Sequence, residues 1–242
     1  MTDSLQDVLA AHAVVIFDLD GVLVDSNEMK AQCIRATFAA FPEELVGEFV
    51  EEFRRTFGRS RREHFSWFHS RSIRHGLAEA NAEEFYLTYA GIYANLLATS
   101  YPRAPLCAHA DRLVIRLSTR GVPLHVATGT LTAEANAVLK HAGLGAAFHS
   151  VLGGEEPKAR RIEQILATSG VAPGEAVLLG DTRQDALAAD EAGCDFVLVS
   201  RYGFFPPEEV LRGRAGRDDL VVADLDPDAP VPPRGRHTPG RA

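Results

Sequence analysis

The chain has 242 residues, 46% hydrophobic and 24% charged, with a formal net charge of −8. That supplies apolar material for one or two globular domains, and the acidic balance argues against nucleic acid or an anionic membrane surface as the main partner. Cys33, Cys107 and Cys194 make no CxxC pair or zinc spacing, and no basic-then-apolar leader or bilayer-length apolar run stands in the sequence, so a reducing, cytoplasmic setting is expected.

The first predicted element is a strand over residues 13–18, in which Val14-Val15-Ile16-Phe17 runs into Asp18. Asp18 and Asp20 are spaced i and i+2, which places them on one side of a strand, and Gly21 ends it. Residues 26–101 change character: β-branched runs give way to Glu, Arg, Ala, Phe and Leu, and 28–41, 43–57, 61–75 and 82–97 read as four helices punctuated by Pro42, Gly58 and Gly76. Phe65, Trp67 and Phe68 are expected to pack this insertion. After Pro102 and Pro105 the pattern alternates. A helix over 106–120 precedes a strand over 122–127 that ends at Thr128-Gly129-Thr130. A helix over 132–141, a strand over 148–152 and a helix over 159–169 follow. A buried strand over 176–179 then ends at Gly180-Asp181, before a helix over 184–192 and strands over 195–199 and 220–222. Alternating strands and helices imply an α/β fold, a parallel sheet with helices on both faces. The segment from Asp224, rich in Pro, Arg, Gly and Asp, is expected to be mobile. There is no internal repeat.

Four groups fall just past a predicted strand or at a helix start: Asp18 with Asp20, Thr128 with Gly129, Lys158, and Asp181 with Asp185. A parallel sheet brings such positions to one edge, where α/β folds bind ligands. Together they suit phosphoryl transfer. Asp18 and Asp181 offer the hard oxygens that magnesium takes, and a carboxylate can attack phosphorus. The Thr128 hydroxyl and the N–H groups opening the next helix can hold phosphate oxygens. Lys158 can neutralise the remaining charge; the chain has three lysines, Lys30, Lys140 and Lys158, so one at this edge is informative.

These residues resemble the motifs of the haloacid dehalogenase (HAD) superfamily, in its phosphatase branch. Asp18-Leu19-Asp20-Gly21-Val22-Leu23-Val24-Asp25 resembles D-x-D-G-V-x-x-D; Thr128 ends an apolar strand; Lys158 opens a helix; Gly180-Asp181-Thr182-Arg183-Gln184-Asp185 resembles G-D-[ST]-x-x-D. The resemblance spans residues 14–199 and implies a Rossmann-like doubly wound core with an inserted helical cap. It implies Asp18 as nucleophile and magnesium ligand, and Asp20 as general acid and base whose backbone carbonyl also binds the metal. Thr128, Gly129 and Lys158 would hold phosphate, Asp181 would bind magnesium, and Asp185 would support that shell. The acid role needs a protonated Asp20, which crowding by carboxylates is expected to favour.

Gly58-Arg59-Ser60-Arg61 resembles the G-x-S-R cap loop of the phosphoglycolate phosphatase and β-phosphoglucomutase-like subgroup, which implies Arg61 as a substrate contact. The chain departs from the family where Pro157 precedes Lys158 and Ala159, rather than Pro, follows it. The implied division is a core over 1–25 and 102–223, a cap over 26–101 and a disordered tail over 224–242. The expected function is a magnesium-dependent phosphomonoester hydrolase working through an aspartyl-phosphate on a small phosphorylated metabolite, a sugar phosphate foremost. A phosphomutase is the alternative on the same residues, and a non-catalytic binding protein is a weaker third reading.

Overall fold

The structure, a computed structural model, describes residues 3–78, 80–214 and 219–231. Helix α1 (Leu5–Ala10) leads into β1 (Val14–Phe17). Four helices then follow before the next strand: α2 (Asn27–Thr37), α3 (Glu43–Arg55), α4 (Arg61–Arg74) and α5 (Ala82–Ser100). The α/β run comprises α6 (Ala110–Thr119), β2 (Leu124–Ala127), α7 (Thr132–His141), β3 (Ser150–Leu152), α8 (Lys158–Ser169), β4 (Ala176–Gly180), α9 (Arg183–Ala192), β5 (Asp195–Val199), α10 (Pro207–Val210) and β6 (Leu220–Val222).

Among the described residues six strands form one sheet, all parallel, in the order β3-β2-β1-β4-β5-β6. The chain steps outward from β1 through β2 to β3, then crosses back to place β4 on the other side of β1. The strand order therefore reverses between β1 and β4, and the crevice beyond their carboxyl ends is the place where such a sheet binds ligands. Phe17 pairs with Leu179, so Asp18 and Gly180 leave the sheet side by side. The four residues of β1 are fully buried because both faces are covered: Val15 and Phe17 join one apolar cluster, Val14 and Ile16 the other.

Helices α2 to α5 pack around Phe38. Its ring lies 4.3 Å from Phe68, 5.2 Å from Phe49 and from Phe65, and 4.8 Å from Tyr89, centroid to centroid. Burying one such ring stabilises the packing by roughly 1.5–3 kcal/mol. Trp67 stacks on Phe49 at 5.8 Å, as expected of a packing residue. A Ser60–Glu63 capping box starts α4, with the Glu63 carboxylate accepting from Ser60 N at 2.9 Å.

Two expectations are corrected here. Helix α6 opens at Ala110 rather than at 106, because residues 105–107 pair with the outgoing chain. Leu106 bridges Val24, Asp25 N donates to Pro105 O at 2.9 Å and Cys107 N donates to Leu23 O at 3.0 Å. That pairing forms the neck through which the insertion leaves and returns. Secondly, residues 224–231 are anchored, not mobile. Leu225 and Val231 are buried, Val231 N donates to Asp3 O at 2.9 Å, and Arg116 holds Asp228 at 2.6 Å. Buried Leu225, Pro227 and Val231, backbone hydrogen bonds from Leu5 and Gln6 of α1, and the ion pair to Arg116 of α6 dock this polar stretch. The rest of the expected tail, residues 232–242, lies outside the described residues. No described helix is long and apolar enough to cross a membrane.

Candidate active site

The carboxyl ends of β1 and β4 bring Asp18 and Asp181 together, and the start of α9 adds Asp185. One carboxylate oxygen from each lies within 4.8 Å of the others. All three are at most 2% exposed. Gly21 makes this approach possible. It sits at φ +79°, and a Cβ there would stand 2.1 Å from Asp181 Oδ2. Gly180 serves likewise beneath Asp185, whose Cβ would lie 2.3 Å from an added methyl.

Lys158 opens α8 and reaches this cluster despite the altered proline pattern. Its Nζ lies 2.9 Å from Asp18 Oδ1 and donates to Asp185 Oδ1. The other Asp185 oxygen accepts from Thr182 N at 3.0 Å and Thr182 Oγ1 at 2.6 Å, so Asp185 is fully engaged. Asp181 is not. Its Oδ2 accepts from Asn27 Nδ2 at 2.7 Å, whereas its buried Oδ1 has no hydrogen-bond partner. Burial and the neighbouring Asp185 and Asp18 push the Asp181 carboxyl well above the usual range. Burial foremost, with Asp185 and Asp20 adding to it against Lys158, pushes Asp18 up to about 6. A buried carboxylate with an orphaned oxygen beside a second carboxylate is an arrangement that a hard cation relieves.

Asp20 departs from expectation. Burial raises its carboxyl, but the charge of Lys30 and hydrogen bonds from Lys30, Ser26 and Thr130 outweigh burial and hold it below the usual range. Lys30 Nζ and Thr130 Oγ1 both donate to Asp20 Oδ2 at 2.6 Å. Ser26 Oγ donates to Oδ1 at 2.6 Å and Tyr101 OH at 2.8 Å. Crowding by carboxylates does not set the state of Asp20; one buried ammonium and three hydroxyls do.

Thr128 and Gly129 follow β2, but they differ. Thr128 is fully buried, its Oγ1 accepts from Thr130 N at 3.1 Å, and its carbonyl accepts from the buried Arg161. Gly129 and Thr130 line the cavity above Asp18 and Asp20. A Cβ on Gly129 would stand 2.8 Å from the Gly58 carbonyl oxygen, so the loop of the insertion rests directly on the core here.

From the insertion, Lys30, Arg59, Arg61, Phe57 and Tyr93 also line that cavity, whose volume is about 40 Å³. Arg61 is 9% exposed, lies over the Tyr93 ring at 4.7 Å, and donates through Nη2 to both oxygens of Glu134, at 2.8 and 2.6 Å. Arg62 points elsewhere, to Glu83 at 2.7 Å. His64 is buried, its Nε2 bonds Thr56 O at 3.2 Å, and burial lowers its imidazole to about 4, so it is a neutral group bracing the loop.

Sequence reasoning missed Lys30, Thr130, Tyr101, Asn27, Arg161 and Glu134. The scarcity of lysine that drew attention to Lys158 applies to Lys30 as well, but equally to the exposed Lys140, so it does not single Lys30 out.

A family model described as haloacid dehalogenase-like hydrolase matches residues 12–193. The chain belongs to that family. Phosphoglycolate phosphatase of Mannheimia succiniciproducens is 29% identical over 226 residues, covering 88% of this chain and 90% of that protein. Phosphoglycolate phosphatase 1 of Pseudomonas aeruginosa is 28% identical over 199 residues, 79% of this chain and 70% of that protein. A (DL)-glycerol-3-phosphatase of Arabidopsis thaliana is 25% identical, over 87% of this chain and 70% of its own. Among solved structures, a hydrolase from Pseudomonas syringae superposes with a TM-score of 0.71 at 21% identity, covering 89% of this chain and 94% of that one. CbbY from Rhodobacter sphaeroides, solved with xylulose-(1,5)-bisphosphate, gives 0.66 at 20% identity, over 88% and 95%. Both share the fold. The chain is thus an HAD-like hydrolase of the phosphatase branch, with the Rossmann-like parallel sheet of that family.

Proposed function

We propose that this enzyme is a magnesium-dependent phosphomonoester hydrolase acting on a small phosphorylated metabolite: a sugar phosphate, or a short phosphorylated acid or polyol of the kind in its relatives' names. The observation that carries this reading is the buried pair Asp18 and Asp181 at the strand-order reversal, with Asp181 Oδ1 unpartnered and Lys158 beside Asp18. Asp18 and Asp181 fit a magnesium ion, with the Asp20 carbonyl as a further oxygen ligand implied by the family resemblance. Bound there, the ion would neutralise the clustered carboxylates and phosphate charge.

Asp18 is the nucleophile: its carboxylate attacks phosphorus and forms an aspartyl-phosphate, while the ester oxygen leaves. Lys158 keeps Asp18 ionised and offsets phosphate charge. Gly129, which lines the cavity just past β2, holds the phosphate from that side, with Thr128 fixing its turn. Asp185 holds Lys158 in place. Asp20 gives the leaving oxygen its proton and later takes one from the attacking water. For that it must first exchange the Lys30 contact for a proton.

Helices α2 to α5 act as a cap. The loop of the insertion rests on Gly129 over the cavity that Asp18 and Asp20 line, a placement from which it can lift to admit substrate and close to exclude water. A protein-sized phosphoester does not fit beneath it.

Phosphorus NMR of the reaction tests the assignment. Appearance of inorganic phosphate from a sugar phosphate supports hydrolysis. An isomeric phosphate ester instead would assign the enzyme as a phosphomutase, in which a second substrate hydroxyl replaces water.

A further inference from the structure

Arg161 stands one turn beyond Lys158 on α8, and the i, i+3 spacing puts both on one face of that helix. It is 3% exposed. Lys158 is engaged with Asp18 and Asp185. Arg161 has no such partner: among the described residues no carboxylate forms an ion pair with it, and its buried Nε has no hydrogen-bond partner. Burial foremost holds its guanidinium below the ordinary arginine value, although the charges of Asp18 and Asp185 work the other way. A buried charge without a close counter-charge is costly to keep, so packing alone does not account for an arginine here.

Its contact is with the backbone of the turn after β2. Arg161 Nη1 donates to the Thr128 carbonyl oxygen. The rest of that turn is tied as well. Thr128 N donates to Leu152 O at 3.0 Å, Thr130 N to Thr128 Oγ1 at 3.1 Å, and Gly154 N to Thr130 O at 2.8 Å. Among the described residues nothing accepts from the Gly129 N–H. That N–H shares a planar trans peptide with the Thr128 carbonyl, so the two point in opposite directions. Holding the carbonyl toward α8 turns the Gly129 N–H away from α8, and Gly129 lines the cavity together with Asp18 and Asp20.

We propose that Arg161 is a positioning residue that aims the Gly129 N–H at the phosphoryl group by holding the Thr128 carbonyl from behind. The inference rests on the phosphatase reading and adds to it a residue that acts only through Thr128. Without the guanidinium this peptide is free to rotate, and a carbonyl oxygen turned toward a phosphate repels it. A charge-assisted hydrogen bond resists that rotation better than a neutral one. The donor is then in place before the anion arrives, with no reorganisation left to make.

The test separates this from the phosphatase reading, because phosphate release by the unaltered enzyme tests hydrolysis by itself. Inorganic phosphate is titrated, with magnesium saturating, into the isotope-labelled unaltered protein and into Arg161→Met and Arg161→Lys. The Gly129 amide proton of the unaltered protein is expected to move downfield as its N–H gains an anionic acceptor. Arg161→Met is expected to lose most of that movement and to bind inorganic phosphate about tenfold or more weakly by calorimetry, the worth of a charge-assisted hydrogen bond. Arg161→Lys, which keeps a cationic donor, recovers part of both. Magnesium affinity measured without phosphate stays native in both variants, which a general loosening of the site would not leave. A Gly129 amide proton unmoved by phosphate in the unaltered protein overturns the inference, whether or not either variant folds. Native phosphate affinity in Arg161→Met also overturns it, as does a parallel loss of magnesium affinity. Either result with phosphate release intact leaves the phosphatase reading standing.

Discussion

Lys158 Nζ lies 2.9 Å from Asp18 Oδ1 and also donates to Asp185 Oδ1, so one buried ammonium serves two carboxylates, one just past β1 and one in the first turn of α9. Burial works against its charge, but Asp18 and Asp185 hold it above the ordinary lysine value. Removing it leaves three buried carboxylates with no cation among them. Lys158→Met is expected to lower metal-free stability by about 3–5 kcal/mol, read by urea unfolding. It is also expected to reduce phosphate release by about a hundredfold or more. Unchanged stability would mean that the pair is solvated in solution.

The raised Asp18 carboxyl has a consequence for pH. Its folded value of about 6 lies above the unfolded one, so between about pH 4 and 6 the folded state binds more protons. Metal-free stability contributed by this group is therefore present below about pH 4 and lost as pH rises through about 6. A cation competes with those protons. Magnesium should raise Tm more at about pH 7.5 than at about pH 5, and Asp181→Asn should abolish most of the difference. Differential scanning calorimetry measures both, and a magnesium shift independent of pH contradicts the assignment.

Lys30 holds Asp20 in its ionised form. Lys30→Met removes that charge, so the Asp20 carboxyl rises and stays protonated to higher pH. If Asp20 donates the proton, the alkaline limb of kcat/KM moves upward in this variant. The profile is recorded with a p-nitrophenyl ester and with a less activated alkyl ester. An unmoved limb for the alkyl ester would show that another group supplies the proton.

Gly21→Ala places a methyl 2.1 Å from Asp181 Oδ2 at a backbone φ of +79°. The strain costs about 1–3 kcal/mol, and Asp181 must shift away from Asp18. Weaker magnesium binding by calorimetry, together with a lower Tm, is the expected result. A variant with native magnesium affinity would show that Asp181 has room to move.

Asp18 and Asp181 are legible in the sequence because each follows an apolar strand, and the α/β alternation implies a parallel sheet that brings such strand ends to one edge. Asp18, Asp181 and Lys158 meet as their positions in the pattern predict. The surroundings of Asp20 are not legible, because they come from α2, the end of α5 and the turn after β2. Lys30 in the first turns of a helix reads as a solvated lysine until tertiary packing turns it inward. Arg61 is legible as a loop arginine, but its partner Glu134 is seventy-three residues away on another element. The anchored segment 224–231 escapes composition for a similar reason: its buried Leu225, Pro227 and Val231 act through tertiary contacts, not through any periodic pattern.

The most direct measurement is magnesium-dependent phosphate release from a panel of small-metabolite phosphates, with Asp18→Asn alongside. Release that requires both magnesium and Asp18 is the predicted result, and it ranks the substrates in the same experiment. Release that persists in Asp18→Asn, or no release from any ester, would contradict the central claim that Asp18 is the phosphoryl acceptor of a phosphatase.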